Sequence, residues 1–166
     1  METKFYRCPI CGNVIVKVAD SGVMPVCCGH EMQELVANTS EGMGEKHLPV
    51  VTRQNDYSYH VQIGAQLHPM EEAHYILFIC LETQHGFQLH YLKPGDKPQT
   101  DFCCCKSQAL SAYAYCNKHG LWKTEITSRQ NTTKPAEAPS GSCSRQPSGF
   151  SSCCGMVGDD KYYPCD

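Results

Sequence analysis

Cys116 and His119 form a C-x-x-H pair in "YCNKHGLWK", beside the chain's only tryptophan. A thiol and an imidazole three residues apart can close on one metal ion, but they supply only two ligands. Upstream histidines offer the rest: His47 in "GEKHLPVV", His68 and His74 in "LHPMEEAHY". Four imidazoles and one thiolate exceed the four ligands of a closed zinc site. Five such ligands suit an iron that keeps a sixth position open for chemistry. His60, His85 and His90 have no such company and read as surface or hydrogen-bonded residues.

A second group lies near the N-terminus. Cys8 and Cys11 form a C-x-x-C knuckle, and the adjacent Cys27 and Cys28 follow after fifteen intervening residues. Four thiolates from two short segments fit a tetrahedral all-sulfur site, and ligand chemistry alone admits zinc and iron equally. The adjacent pair is less usual than a second C-x-x-C, because neighbouring side chains must bend towards one ion. The stretch "NVIVKVADSGVMPV" between the pairs predicts a small hairpin with Gly22 in its turn. In so small a module the metal would replace a missing core. His30 reads as a solvated loop residue, since four sulfurs already fill a tetrahedron.

These residues need a scaffold, and 166 residues suffice for a small module plus one ordinary domain. From about residue 38 to 127 the texture is strand-like. "HVQIGAQL" alternates, which predicts Val61, Ile63, Ala65 and Leu67 on one face. "HYILFICLET", "FQLHYLKPG" and "ALSAYAYC" are further strand-like runs between Gly, Pro and Asp turns, and no helical periodicity is sustained. Short strands with turns between them predict an all-β fold, a sandwich or a barrel. Three segments follow: a cysteine module over 1–37, a β domain over 38–127, and a Ser-, Pro- and Gly-rich linker and tail over 128–166.

Composition excludes several functions. A net charge of −3 without a basic run gives no electrostatic case for nucleic acid. No apolar stretch approaches the roughly 20 residues of a membrane helix. The N-terminus "METKFYRCPICG" has no apolar signal region, so a cytoplasmic location is expected. Thirteen cysteines in a reducing compartment then point to metal ligation more than to disulfides.

The motifs "YRCPICGNVIVKV", "CCGHEM", "EKHLPVV", "HPMEEAHYI", "LKPGD" and "YCNKHGLWK" together resemble desulfoferrodoxin, the two-iron form of superoxide reductase, over about residues 1 to 125. The resemblance implies a desulforedoxin-like module with one iron on Cys8, Cys11, Cys27 and Cys28. It implies an immunoglobulin-like β-sandwich whose iron is held by His47, His68, His74 and His119 in the plane, with Cys116 axial. It implies reduction of superoxide to hydrogen peroxide, electrons from a rubredoxin-like or other cytosolic donor, and a homodimer. It gives Lys46 the task of attracting the anion and holding a proton-delivering water. Glu45 becomes the carboxylate that takes the sixth position once peroxide has left. Without the resemblance both would read as solvated loop charges. The rival readings are a non-catalytic iron electron carrier and a zinc-stabilised binding module.

Two features depart from the family. Cys103, Cys104 and Cys105 stand in a row, and on a strand Cys104 would face opposite to its neighbours. At least one of them, like Cys80, reads as a small core hydrophobe. The tail carries Cys143, Cys153, Cys154 and Cys165. They suggest a third metal or iron–sulfur site, against the plainer alternative of a flexible tail with free thiols.

Overall fold

The structure, a computed structural model, describes residues 3–39, 44–104, 107–127 and 131. Cys105 and the four tail cysteines lie outside the described residues. The described chain is all-β apart from one helical turn. Its strands are β1 (Lys4–Arg7), β2 (Val14–Lys17), β3 (Val26–Cys27), β4 (His30–Glu31) and β5 (Gln33–Glu34) in the N-terminal module. The turn α1 (Gly44–His47) follows. Then come β6 (Pro49–Asn55), β7 (Ser58–Ile63), β8 (Ile76–Thr83), β9 (Gly86–Tyr91), β10 (Gln99–Cys103), β11 (Ala109–Cys116) and β12 (Gly120–Glu125).

The module departs from the expected hairpin. Val14–Lys17 does not fold back on Val26–Cys27; β2 pairs with β1, and β5 takes the other edge of β1. The cause is the knuckle itself. Cys8 N–H donates to the Asn13 carbonyl at 2.8 Å and Gly12 N–H to the Cys8 carbonyl at 3.1 Å, which turns the chain before β2 begins. β1 is also buried on both faces, Phe5 against the β domain and Tyr6 against Met32 and Cys8, so it must be central. β3 and β4 make a separate two-stranded ladder.

The β domain is a sandwich of two antiparallel sheets, ordered β10-β7-β6 and β12-β11-β8-β9. Val51, Tyr59, Val61, Ile63 and Phe102 of the first sheet face Ile79, Leu81, Ala112, Ala114 and Cys116 of the second. The alternating burial of β7 is the pattern of a strand with one face in the core. β8 and β11 are instead apolar almost throughout, because both their faces are covered. Phe78, Cys80, Tyr113, Tyr115 and Leu121 on the outer face pack under Phe5, Val14, Val16, Leu35 and Ala37 of the module. Glu82 ties this layer down. Its buried carboxylate accepts from Thr3 N–H and hydroxyl at 2.8 and 2.7 Å and from the Tyr113 hydroxyl at 3.0 Å. Those bonds meet the cost of burying a charge.

Ala65 and Leu67 do not share the buried face of Val61 and Ile63; both are exposed. The strand ends at Ile63 because Gly64 has φ of +82°. A Cβ there would lie 2.2 Å from the Gln66 carbonyl oxygen and 2.6 Å from that of Lys46. Only glycine permits that approach, which pins α1 against the loop leading to His68. Cys80 and Cys104 are buried in the two clusters, as small hydrophobes would be, while Cys103 is half-buried at the end of β10.

Candidate metal centres

The first centre joins two tight turns. Cys8 and Cys11 come from the knuckle between β1 and β2, Cys27 and Cys28 from the end of β3 and the turn into β4. Their four sulfurs lie within 4.8 Å of one another. Cys11 and Cys27 sulfurs are 3.7 Å apart, and those of Cys27 and Cys28 are 3.9 Å apart. The adjacent pair reaches one point because Cys28 adopts φ of +52°, followed by Gly29 at +75°. That backbone is costly for a residue with a Cβ, and it supplies the bend that neighbouring thiols require. The N–H groups of Cys11 and Ile10 aim at the Cys8 sulfur and bring its thiol down to about 6. The Cys27 thiol is pushed up, chiefly because it donates to the Cys11 and Cys8 sulfurs. Cys8 is buried, Cys27 half-buried, Cys11 and Cys28 exposed. His30 is exposed and lies outside the sulfur group, as expected.

The second centre draws on four segments. His47 ends α1, His68 and His74 sit in the irregular stretch before β8, Cys116 ends β11, and His119 lies in the turn to β12. One ligand atom from each lies within 4.8 Å of all the others. The imidazoles form a closed ring in the order His47, His68, His74, His119. Neighbouring centroids are 4.5 to 4.7 Å apart and the ring planes 73° to 84° to each other. Four rings standing edge-on to their neighbours bring one nitrogen each towards a common point. The Cys116 sulfur is 3.6 Å from His119 Nδ1.

Which nitrogen each ring presents follows from the contacts. His119 Nδ1 lies 2.9 Å from His47 Nε2 and 3.2 Å from His74 Nε2. His68 Nδ1 lies 2.5 Å from the Pro69 carbonyl oxygen, which leaves Nε2 facing inward. That Nε2 is buried without a hydrogen-bond partner among the described residues. Buried polar atoms are normally satisfied, so an orphaned imidazole nitrogen aimed at other ligand atoms fits a bound metal. Burial, and after it the neighbouring imidazoles, lowers the pKa of His68 to about 4 and lowers that of His74. Neutral imidazole is the form that ligates. Burial raises the Cys116 thiol, opposed by the N–H groups of Lys118 and His119 that point at the sulfur.

Glu45 and Lys46 lie on the exposed side of α1, two and one residues before His47. Three residues beyond the expected set shape this centre. Trp122 stacks on His47 at 4.8 Å and 19°. Gly64 seats α1, and Asn117 bridges Cys116 to the His74 segment. Only Gly64 carries a signal in the sequence, a glycine interrupting a strand pattern.

Comparison with known proteins bears on both centres. A family model described as desulfoferrodoxin matches residues 39–125, and one for the desulfoferrodoxin N-terminal domain matches residues 1–35. The chain belongs to the desulfoferrodoxin family. It is 40% identical over 124 residues to a desulfoferrodoxin of Nitratidesulfovibrio vulgaris, covering 75% of this chain and 97% of that one. It is 41% identical over 121 residues to one of Desulfarculus baarsii, covering 72% and 94%. The crystal structure of the superoxide reductase from Treponema pallidum superposes with a TM-score of 0.63 at 30% identity, over 75% of this chain and 98% of that one. Both centres fall inside the matched family segments; the tail cysteines fall beyond them.

Proposed function

We propose that the chain is a superoxide reductase with two mononuclear irons, one on the four cysteines and one on the four histidines and Cys116. The observation that carries this reading is the closed imidazole ring with a single thiolate beside it. Ferrous iron held by that set would supply the one electron that, with two protons, converts superoxide to hydrogen peroxide. The superoxide reductase from Treponema pallidum, which this chain resembles in fold, supports the reaction. Among the described residues no helix is long and apolar enough to cross a membrane.

The chain's own residues divide the work. His47, His68, His74 and His119 would hold the iron through neutral nitrogens and Cys116 through a negatively charged sulfur, a five-ligand set that would leave room for a small anion. The Cys116 sulfur receives the N–H groups of Lys118 and His119, which temper that charge. Lys46 attracts a small anion to an otherwise acidic chain and holds a water that delivers a proton. Glu45, on the same turn, would offer its carboxylate to the metal once product has left. A rubredoxin-like or other cytosolic protein returns the electron, and the protein works in the cytoplasm as a homodimer. The first iron either relays electrons or braces the module. We assign residues 1–37 to the module, 38–127 to the catalytic domain and 128–166 to a linker and tail. The tail's Cys143, Cys153, Cys154 and Cys165 are candidates for a third metal or iron–sulfur site, against a tail with free thiols; a tail deletion that lowers metal content favours the site, and an unchanged content ends it.

Metal analysis with visible spectroscopy tests the whole reading. Two irons per chain, with a long-wavelength thiolate-to-iron band that grows when superoxide meets the reduced protein, support it. Zinc alone, with no iron uptake on reconstitution, overturns it.

A further inference from the structure

The segment carrying His74 lies outside the named strands and is braced locally by one bridge, Glu71 N–H to the His74 carbonyl at 3.1 Å and His74 N–H to the Glu71 carbonyl at 2.9 Å, yet His74 must also meet Cys116 and His119. The β8–β11 ladder stops short of it. Tyr115 pairs with Phe78 and Cys116 with Ile76, so a bulge at Leu77 shifts the register just before the centre. Beyond this point the ladder is continued by one residue. Asn117 N–H donates to the Tyr75 carbonyl at 3.1 Å. Its side-chain Oδ1 accepts from Tyr75 N–H at 3.0 Å, and its Nδ2 donates to the Ala73 carbonyl at 3.3 Å. A primary amide carries the same donor and acceptor as a peptide unit. The Asn117 side chain thus stands in for the next rung of a strand that does not exist.

These three bonds bracket His74, two at the residue after it and one at the residue before it. They anchor the segment to the residue directly following Cys116. We infer that Asn117 is a positioning residue that sets the spacing between His74 and the Cys116 sulfur, and through it the strength with which the second centre holds its metal. The inference rests on the reading of His74 and Cys116 as ligands of one iron. Aspartate replaces it only in part, since a carboxylate accepts from Tyr75 but offers nothing to Ala73. It would also bring negative charge towards the thiolate, whose sulfur lies 3.9 Å from Oδ1.

The test compares full-length wild type, Asn117→Ala and Asn117→Asp. Three quantities are read: iron release to a chelator, the energy of the thiolate-to-iron band, and hydrogen exchange over residues 73–76. The four-cysteine iron and the thermal midpoint serve as internal controls. Expected for Asn117→Ala is about 10-fold faster release from the second centre, the scale of losing a ligand's outer partner. A shifted band and faster exchange at Tyr75 should accompany it, with both controls unchanged. Asn117→Asp should fall between, and it decides the matter if the alanine variant fails to fold. Wild-type release, band and exchange in the folded variants overturn the inference while leaving the reductase reading intact. A wild type that takes no iron at the second centre overturns that reading instead, and exchange at Tyr75 still decides whether Asn117 holds the segment.

Discussion

The two centres are built in opposite ways. The four-cysteine centre sits on two short turns of a module whose own core is little more than Tyr6, Cys8 and Met32. Two of its ligands are exposed. The histidine–cysteine centre sits at one end of a sandwich with a core of fourteen buried residues, and His47, His68 and Cys116 are themselves buried. The expectation is that the module, beyond its packing on the β domain, leans on its metal for its fold, whereas the sandwich carries its ligand geometry ready-made, in a ring that packing and outer hydrogen bonds hold. A structural centre and a reactive one can be told apart by what holds the ligands when the metal is removed.

The largest effects should separate the centres completely. Cys116→Ser should abolish the long-wavelength band and lower the superoxide rate more than about 100-fold, since losing a ligand exceeds losing an outer partner. The four-cysteine spectrum should persist. Cys28→Ser should do the reverse. It should release the first iron and unfold the module in a protease assay, yet change the superoxide rate less than about 3-fold, as independent sites do. A large loss of rate in Cys28→Ser would instead make the first iron a relay.

A smaller effect tests the ready-made ring. Gly64→Ala places a Cβ against two carbonyl oxygens at a positive φ. We expect a loss of about 2 kcal/mol or more in stability, read from denaturant melts. Because Lys46 and the approach to His68 are the parts displaced, iron should leave the second centre faster while the first is unaffected. Equal weakening of both centres would show that the module leans on the sandwich more than its separate sheet suggests.

The same contrast explains what could be read from sequence. Ligand types and spacings were legible because metal chemistry restricts them sharply: Cys8, Cys11, Cys27 and Cys28 converge, as do His47, His68, His74, Cys116 and His119. The strands of the sandwich were legible from apolar runs and alternation. The module was not, because its strands run from two to four residues. Over such lengths periodicity cannot choose between pairing β2 with β1 and pairing it with β3. The supports of the second centre were equally hidden. Asn117, the Pro69 carbonyl and the face of Trp122 act through tertiary contacts, and a lone asparagine or proline announces none of them.

The smallest effect is one of pH, and it has the same sign in the two regions but a different window. His68 falls to about 4 in the folded chain against an ordinary value near 6.5. As pH drops below about 6.5, the unfolded chain binds a proton that the folded chain refuses until near 4. The metal-free sandwich should therefore lose stability steadily across that interval and no further below it. In the module Cys8 falls to about 6 from an ordinary thiol value near 8.5 to 9. Its contribution is complete above that ordinary value and is lost as pH falls towards 6, while the raised Cys27 thiol works against it at higher pH. Denaturant melts of the metal-free sandwich at pH 7, 6, 5 and 4, beside protease sensitivity of the module at pH 9, 8, 7 and 6, would check both. Coincident windows would mean that the two regions do not answer to separate ligand sets. Separate windows would show that acid loosens the reactive centre mostly below the range over which the module loses its thiolate contribution.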